Sequence, residues 1–143
     1  MKYNKINNLY QLFSYQNDKN PERKIFFEKI GQEWQGFSFE NINLKISLIQ
    51  KFLLQRNIKK GDRVFLLSNS CVDWVAIDLA IQSIGGVTVP AFTTNNKSDN
   101  KFIIKDCKPK LLFIENSVLY KKNEDILKGL KKKLFLLILW KTI

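Results

Sequence analysis

Residues 66–92 read LLSNSCVDWVAIDLAIQSIGGVTVPAF and decide the fold class. The short apolar run 64–68 is followed by a longer apolar segment, 71–84, and by a second short run, 87–89. Short apolar runs suit strands covered on both faces, whereas the long segment suits a buried helix. The order strand, helix, strand predicts two parallel strands joined by a right-handed crossover.

Polar residues and glycines mark the ends of these elements. Ser70 is placed to cap the helix, and Asp73 falls three positions later, where its charge suits the positive end of the helix dipole. Gly85 and Gly86 predict the helix C-terminus, since glycine accepts a left-handed backbone. Pro90 lacks an N–H group, so we expect it to close the second strand.

The residues before this unit predict a hairpin and two helices. Strands 24–30 and 34–38 flank Gly31, and a short helix spans residues 8–16. Ser38 starts a longer helix, 39–55, with Asn41 rather than glutamate three residues on. One face of this helix is apolar, and we expect it to pack on a sheet; it is formed by Ile42, Ile46, Ile49 and Leu53, and widened by Leu44 and Leu48.

The residues after Phe92 continue the alternation of helices and strands. A polar loop, 93–97, leads to a helix capped by Asn96 and Asp99 that runs to about residue 105. A third parallel strand follows at 111–115, then a helix at 117–130 and a possible fourth strand at 134–139. The predicted fold is therefore α/β, a partial parallel sheet with flanking helices preceded by a β-hairpin.

The formal charge of +11 lies at the two ends of the chain. Residues 1–60 carry 11 basic and 5 acidic side chains, residues 61–120 carry 6 and 6, and residues 121–143 carry 7 and 2. Zinc ligands, a basic zipper and the aromatic RNA-binding signature are absent from the sequence. We therefore favour compositional bias, with abundant lysine, asparagine, isoleucine and phenylalanine, and predict no nucleic-acid partner.

Cysteines and hydropathy indicate a cytoplasmic protein. Cys71 and Cys107 are too few for a disulfide framework and form no C-x-x-C pair, so free buried thiols are expected. The first residues make a poor signal peptide. The longest apolar run, 134–140, has seven residues, whereas a membrane span needs about 20.

The motifs that carry chemistry are missing from the sequence. It has no phosphate loop, and Gly85-Gly86 follows a helix rather than opening one. It also has no histidine, which excludes a Ser-His or Cys-His nucleophile and leaves zinc without its usual ligands. We therefore assign no catalytic, cofactor-binding or metal-binding residue.

Three residues leave two interpretations open, and two aspartates raise the question of a carboxylate pair. Trp74 could stack on a ligand, but a core position is favoured. Thr93 and Thr94 follow a strand at its carboxyl end, where ligands bind in open α/β sheets, although capping of the next helix is favoured. Asp73 and Asp78 are five residues apart on a helix and point in different directions, so they are not a catalytic pair.

The order of motifs from Asn8 to Glu115 resembles the N-terminal part of AMP-forming acyl-CoA synthetases, the adenylate-forming ligases. The matching segments are Trp34, Ser38-Phe39-Glu40, Gly61-Asp62-Arg63-Val64, Ser68 with Ser70, Asp73 and Trp74, Ala80 with Gly85, Gly86, Val89 and Pro90, and residues 108–115. At Ser70 the family pattern has asparagine. The PAFTT string, with an upstream tryptophan, is closer to the long-chain fatty acyl types.

This resemblance implies a ligase that uses ATP, Mg and coenzyme A to convert a fatty acid to an acyl-adenylate and then to a thioester. The family's phosphate loop, acidic nucleotide motifs and C-terminal lysine can be placed on no residue of this sequence. Residues 1–143 are thus interpreted as a partial N-terminal AMP-binding domain that binds no cofactor alone. Residues 121–143 form a doubtful tail, either the next helix and strand or out-of-frame sequence.

Three functions follow for the chain. The first is a truncated long-chain fatty acid–CoA ligase, inactive alone, whose partner is the missing remainder of the synthetase. The second is a complementing subunit or interaction module for a separately encoded remainder. The third is a basic binder of nucleic acid or of a membrane surface; peripheral membrane contact is also possible for the full enzyme.

Overall fold

The computed structural model describes residues 6–128 and 135–138. In these residues a four-stranded parallel sheet, with strand order β4-β3-β5-β6, lies beside a separate antiparallel hairpin, β1-β2. The elements, in chain order, are α1 Leu9–Lys19, β1 Lys24–Ile30, β2 Glu33–Ser38, α2 Phe39–Gln55, β3 Arg63–Leu67, α3 Val72–Ser83, β4 Val87–Ala91, α4 Lys97–Cys107, β5 Leu111–Ile114, α5 Ser117–Lys128 and β6 Phe135–Ile138. The predicted fold class is confirmed.

Alternate side chains of the central strands enter two separate cores. Val64 and Leu66 of β3 pack with α1, α2 and α3, whereas Phe65 and Leu67 pack with α4 and α5. Strand β5 follows the same alternation, so both central strands are buried on both faces. This explains why their sequences are continuous apolar runs.

Helix α2 has the predicted buried stripe, but the stripe is narrower than predicted. Ile42, Ile46 and Leu53 are buried in the first core. Leu44 and Leu48 are 61% and 58% exposed, so the prediction that they widen the buried face is wrong. Successive residues of a helix are about 100° apart, so Leu44 and Leu48, each two positions from Ile46, lie on the opposite side of the helix from the buried stripe.

Helix α3 differs from the prediction at its N-terminus only. The N-cap is Cys71, whose sulfur accepts from Trp74 N at 3.4 Å, so the assignment of the cap to Ser70 is wrong by one residue. At the other end Gly85, with φ +73°, donates to Gln82 O and Gly86 N donates to Ile81 O at 2.9 Å. This pair of bonds is a Schellman motif, which confirms the role predicted for the two glycines.

Strand β4 continues through Pro90 and ends at Ala91, which corrects the prediction that the proline closes it. Pro90 lies beside Leu66 in the register with β3. Among the described strands, β4 lies at the edge of the sheet, so the backbone groups along one of its sides have no neighbouring strand to bond. A proline without an N–H group is tolerated at such an edge.

Several predicted element ends shift by a few residues. Helix α1 runs to Lys19, three residues beyond the prediction, and Asn8 caps it. Helix α4 ends at Cys107. Its cap is Asn96, as predicted, and Asp99 three residues on completes a capping box. Residues 129 and 130 of the last predicted helix, and the two outer residues of the predicted fourth strand, lie outside the described residues.

A cluster at the amino edge of the sheet is built around Asp62. Its carboxylate accepts from Lys59 N at 2.7 Å and from Lys110 Nζ at 2.8 Å, and Lys110 also donates to Asn57 O. The hydrogen bond from Lys110 holds the pKa of Asp62 below its ordinary value of 3.8. The pair ties the turn before β3 to the start of β5.

The Asp62 cluster predicts how the stability of the folded chain depends on pH in acid. Because the pKa of Asp62 is lower in the folded chain, its contribution to stability is present above about pH 4 and is lost as pH falls toward the folded value. Asp62→Asn is therefore expected to cost at most about 1 kcal/mol at neutral pH, and the difference from wild type should shrink below pH 4. Urea unfolding at several pH values measures this. Lys110→Met should flatten the pH dependence of stability over the same range. The loss in the double variant should be smaller than the sum of the two single losses, because both variants remove one shared hydrogen bond; additive losses would contradict the pairing.

Candidate functional site

The carboxyl edge of the parallel sheet is the candidate site. From β3 the chain crosses to β4, the neighbouring strand on one side of β3. From β4 it returns past β3 to β5, the neighbouring strand on the other side. The connections therefore diverge between β3 and β5, which is the switch point where open α/β sheets form their ligand crevice. The loops after these two strands begin with Ser68-Asn69 and with Glu115-Asn116.

A buried carboxylate closes this switch point. Glu115 is 4% exposed, and its Oε2 accepts from Asn69 N at 2.8 Å and from Asn69 Nδ2 at 2.9 Å. Ser68 Oγ donates to Asn69 O at 2.8 Å and lies 3.5 Å from the same carboxylate oxygen. The backbone joins the two strands here as well, since Glu115 N donates to Leu67 O at 3.0 Å. We call Ser68, Asn69 and Glu115 the switch-point latch.

The third loop of this edge is attached to the latch. Thr93 Oγ1 donates to Asn69 Oδ1 at 2.9 Å, so one asparagine side chain joins the loops after β3, β4 and β5. Lys122 of α5 donates to the backbone oxygens of Thr93 and Asn95 at 3.1 and 2.7 Å. These bonds fix the three loops relative to one another.

The interface between α4 and α5 is held by a chain of asparagines. Asn95 Nδ2 donates to Asn100 Oδ1, Asn100 Nδ2 donates to Asn123 Oδ1 at 2.9 Å, and Asn123 Nδ2 donates to Leu119 O at 2.8 Å. Asn100 and Asn123 are each 1% exposed. Because buried amides are costly without partners, this chain specifies how the two helices align beneath the site.

The helix N-termini at this edge carry carboxylates from the protein itself. Glu28, on the hairpin, accepts from Val72 N at the start of α3 at 3.2 Å. Asp73 lies in the first turn of α3 and pairs with Lys45 at 2.8 Å. Asp99 occupies the first turn of α4, and Glu115 precedes α5. The positive helix ends that would otherwise attract a phosphate are thus already compensated by negative charge.

Acidic side chains at the helix N-termini of this edge would repel a phosphate group brought close to them. Asp73 and Asp99 lie in first helical turns, Glu115 precedes α5, and like charges at close range are unfavourable. No group of three or more His, Cys, Asp or Glu in the described part of the chain is arranged to hold a metal ion. The prediction that this chain binds no cofactor alone remains a prediction.

Neither thiol has the environment of an activated nucleophile. Burial raises the pKa of the Cys71 thiol, and it also raises the pKa of Cys107. Both cysteines are free and half-buried rather than fully buried. A raised pKa keeps a thiol protonated at neutral pH, and Cys71 acts as the N-cap of α3.

The structure shows the surroundings of the residues for which the sequence left two interpretations open. Trp74 is half-buried against the first core, in keeping with the favoured core position. Thr93 joins the latch, whereas Thr94 is exposed. Asp73 pairs with Lys45, and Asp78 accepts from Gln82 Nε2 at 2.8 Å, so the two carboxylates have separate partners.

Sequence reasoning missed Asn69 and Glu115, which are the centre of the site. A signal for them exists, because each is a polar residue directly after a buried apolar strand, in LLSN and in LFIEN. Their hydrogen bond joins residues 46 positions apart. Only the strand order places these two strand ends side by side.

This architecture defines the chain as a three-layer α/β domain with its switch point closed by its own side chains. The family model of AMP-binding enzymes matches residues 13–139. The chain therefore belongs to the AMP-binding enzyme family, which confirms the resemblance drawn from the motifs between Asn8 and Glu115.

Two enzymes share part of the sequence. The long-chain-fatty-acid–CoA ligase FadD15 of Mycobacterium tuberculosis is 26% identical over 104 residues, which are 73% of this chain and 17% of the ligase. The crotonobetaine/carnitine–CoA ligase of Salmonella arizonae is 25% identical over 88 residues, 62% of this chain and 17% of that enzyme. The chain thus spans about a sixth of the length of these curated relatives.

Solved structures share the fold. Coronafacic acid ligase from Pectobacterium brasiliense superposes with a TM-score of 0.80 at 21% identity, covering 92% of this chain and 26% of the ligase. The fatty acyl-adenylate ligase from Legionella pneumophila gives 0.75 at 17% identity, covering 96% and 24%. At these identities the likeness shows the fold alone.

No helix in the described residues is long and apolar enough to span a bilayer.

Proposed function

We propose that this chain is framework for an AMP-forming long-chain fatty acid–CoA ligase and contributes no catalytic group of its own. The family match and the mycobacterial relative support the reaction class. In that reaction ATP and a fatty acid give an acyl-adenylate and pyrophosphate, and coenzyme A then takes the acyl group as a thioester. The observation that carries the framework role is the switch-point latch, in which Glu115 and Asn69 are hydrogen-bonded to each other at the place where open α/β sheets bind ligands.

The latch suits a supporting role in chemical terms. A ligase active site needs free donors and cations for phosphate oxygens, whereas the carboxylates of this edge already have partners in the protein. The same holds for its cations Lys45 and Lys122. The same bonds fix three loops, and a site assembled on neighbouring elements depends on such fixed supports. The nucleotide, Mg and coenzyme A would be held by residues outside this chain.

The framework role predicts the activity of the chain alone and in a chimera. The purified chain should show no fatty-acid-dependent ATP–pyrophosphate exchange. A chimera in which this chain replaces its matched segment of the mycobacterial ligase should retain exchange with long-chain fatty acids. Circular dichroism and a thermal melt of the chimera provide the control for folding. Exchange by the chain alone, or a folded chimera without exchange, would contradict the proposal.

A second candidate, a module that complements a separately encoded remainder, is favoured by the edge strand β4. Val87 on this edge is 46% exposed, and Phe92, which follows the strand, is 78% exposed. An exposed edge with large apolar side chains suits pairing with another polypeptide. Co-expression with a polypeptide carrying the phosphate loop tests this: exchange that depends on both chains supports the module, and exchange by the second chain alone excludes it.

A further inference from the structure

The outer face of the hairpin β1-β2 combines exposed aromatic rings with lysines. In the register Phe27 pairs with Gly36 and Lys29 pairs with Trp34, so these four residues share one face. Phe27 is 59% exposed and Trp34 is 69% exposed. The opposite face carries Phe26 and Phe37, which pack on the first core.

The side chains of this face meet above Gly36, which has no side chain of its own. A Cβ atom at Gly36 would lie 2.7 Å from Lys24 Cδ and 2.8 Å from Phe27 Cε1, which means that both side chains lie over the glycine. Trp34 is two residues away on the same strand and diagonal to Phe27. Lys24, Phe27, Lys29, Trp34 and Gly36 therefore form a continuous surface, which we call the hairpin patch.

The charge of the hairpin patch has one sign. The carboxylates of the two strands, Glu28 and Glu33, occupy the register positions of the opposite face, and Glu28 is bonded to Val72 N. The patch itself presents Lys24 and Lys29 only. A second copy of the chain would oppose these lysines with the same lysines, so the charges do not suit self-association.

We propose that the hairpin patch docks on the surface of a membrane that contains anionic lipid. Tryptophan partitions into the headgroup region, because its ring has an apolar body and a polar N–H group. Phenylalanine buries apolar area at the boundary between headgroups and acyl chains. Lysines at the rim of such a patch are attracted to anionic headgroups. Within the two strands this face presents two lysines and no carboxylate, so its charge is complementary to an anionic surface. This inference goes beyond the proposed ligase function and does not depend on it.

Flotation of the whole 143-residue chain with vesicles tests the proposal. At low salt the chain should float with vesicles of phosphatidylglycerol and phosphatidylcholine, and much less with phosphatidylcholine alone. Lys24→Gln with Lys29→Gln should weaken partitioning about thirtyfold, since each lysine near an anionic surface contributes about fivefold. Trp34→Ala should weaken it about tenfold.

A matched lysine pair separates the patch from general charge. Lys101 and Lys105 are exposed on α4, which packs in the second core, on the other face of the sheet from the hairpin. Lys101→Gln with Lys105→Gln should leave flotation nearly unchanged, and circular dichroism should show that every variant folds. Equal losses in the two lysine pairs, flotation insensitive to Trp34→Ala, or no flotation would overturn the proposal. So would duplex DNA binding in the absence of vesicle binding. Since no nucleotide or fatty acid is present, failure here leaves the ligase proposal in place.

Discussion

Phe113→Ala is expected to lower the free energy of unfolding by about 3–5 kcal/mol. Phe113 is 1% exposed on the central strand β5 and packs in the first core with Phe52, whose ring centroid is 6.2 Å away. Removing the ring leaves a cavity between β5 and α2 that a sheet covered on both faces cannot fill by collapse. Urea unfolding followed by far-ultraviolet circular dichroism measures the loss.

Phe102→Ala is the matched control. Phe102 is also a phenylalanine in a regular element, but it is 71% exposed on α4. Its removal should change stability by no more than about 0.5 kcal/mol. If the two variants lose the same stability, β5 is not the central strand of the domain, and the layer order given above is wrong.

The local elements could be predicted because each has a local physical cause. The strand–helix–strand unit of residues 64–91 follows from two short apolar runs around a long one, and the hairpin follows from strands on either side of Gly31. The helix starts after Ser38 and Asn96 follow from a polar residue that can cap, whereas the capping box that Ser38 forms with Asn41 was not predicted. These signals involve residues within a few positions of each other.

The errors came from features that local pattern does not determine. Leu44 and Leu48 are apolar, but only the packing of α2 decides which apolar stripe is covered. Ser70 and Cys71 are both able to cap, and the position of the first helical turn decides between them. Pro90 continues a strand because β4 is an edge among the described strands, which is a property of the sheet.

The candidate site could not be predicted from the sequence for the same reason. Asn69 and Glu115 meet only because β3 and β5 are neighbours, and strand order is not encoded in periodicity. The boundary of the tail at residue 121 also stays a prediction. Helix α5 and strand β6 continue the alternation there, and β6 pairs in parallel with β5.

The switch-point latch gives the second large effect. Glu115→Ala is expected to lower the free energy of unfolding by about 2–3 kcal/mol, because Asn69 N and Nδ2 lose their shared acceptor at a site that is largely closed to water. Glu115→Gln keeps an oxygen acceptor of the same shape and should cost only about 1 kcal/mol. Urea unfolding ranks the three proteins.

Glu124→Ala is the control for loss of a carboxylate as such. Glu124 lies on α5 and forms an i,i+4 pair with Lys128 on the surface, so its removal should cost about 0.5 kcal/mol or less. A local measurement adds a result that general destabilisation would not give. Hydrogen exchange at the Asn69 amide should accelerate in Glu115→Ala more than exchange at Leu66 in the middle of β3. Equal acceleration at both amides, or a Glu115→Ala loss no larger than that of Glu124→Ala, would mean that the latch does not hold the loops together. The edge would then be free to open for a ligand, and the framework role would lose the observation on which it rests.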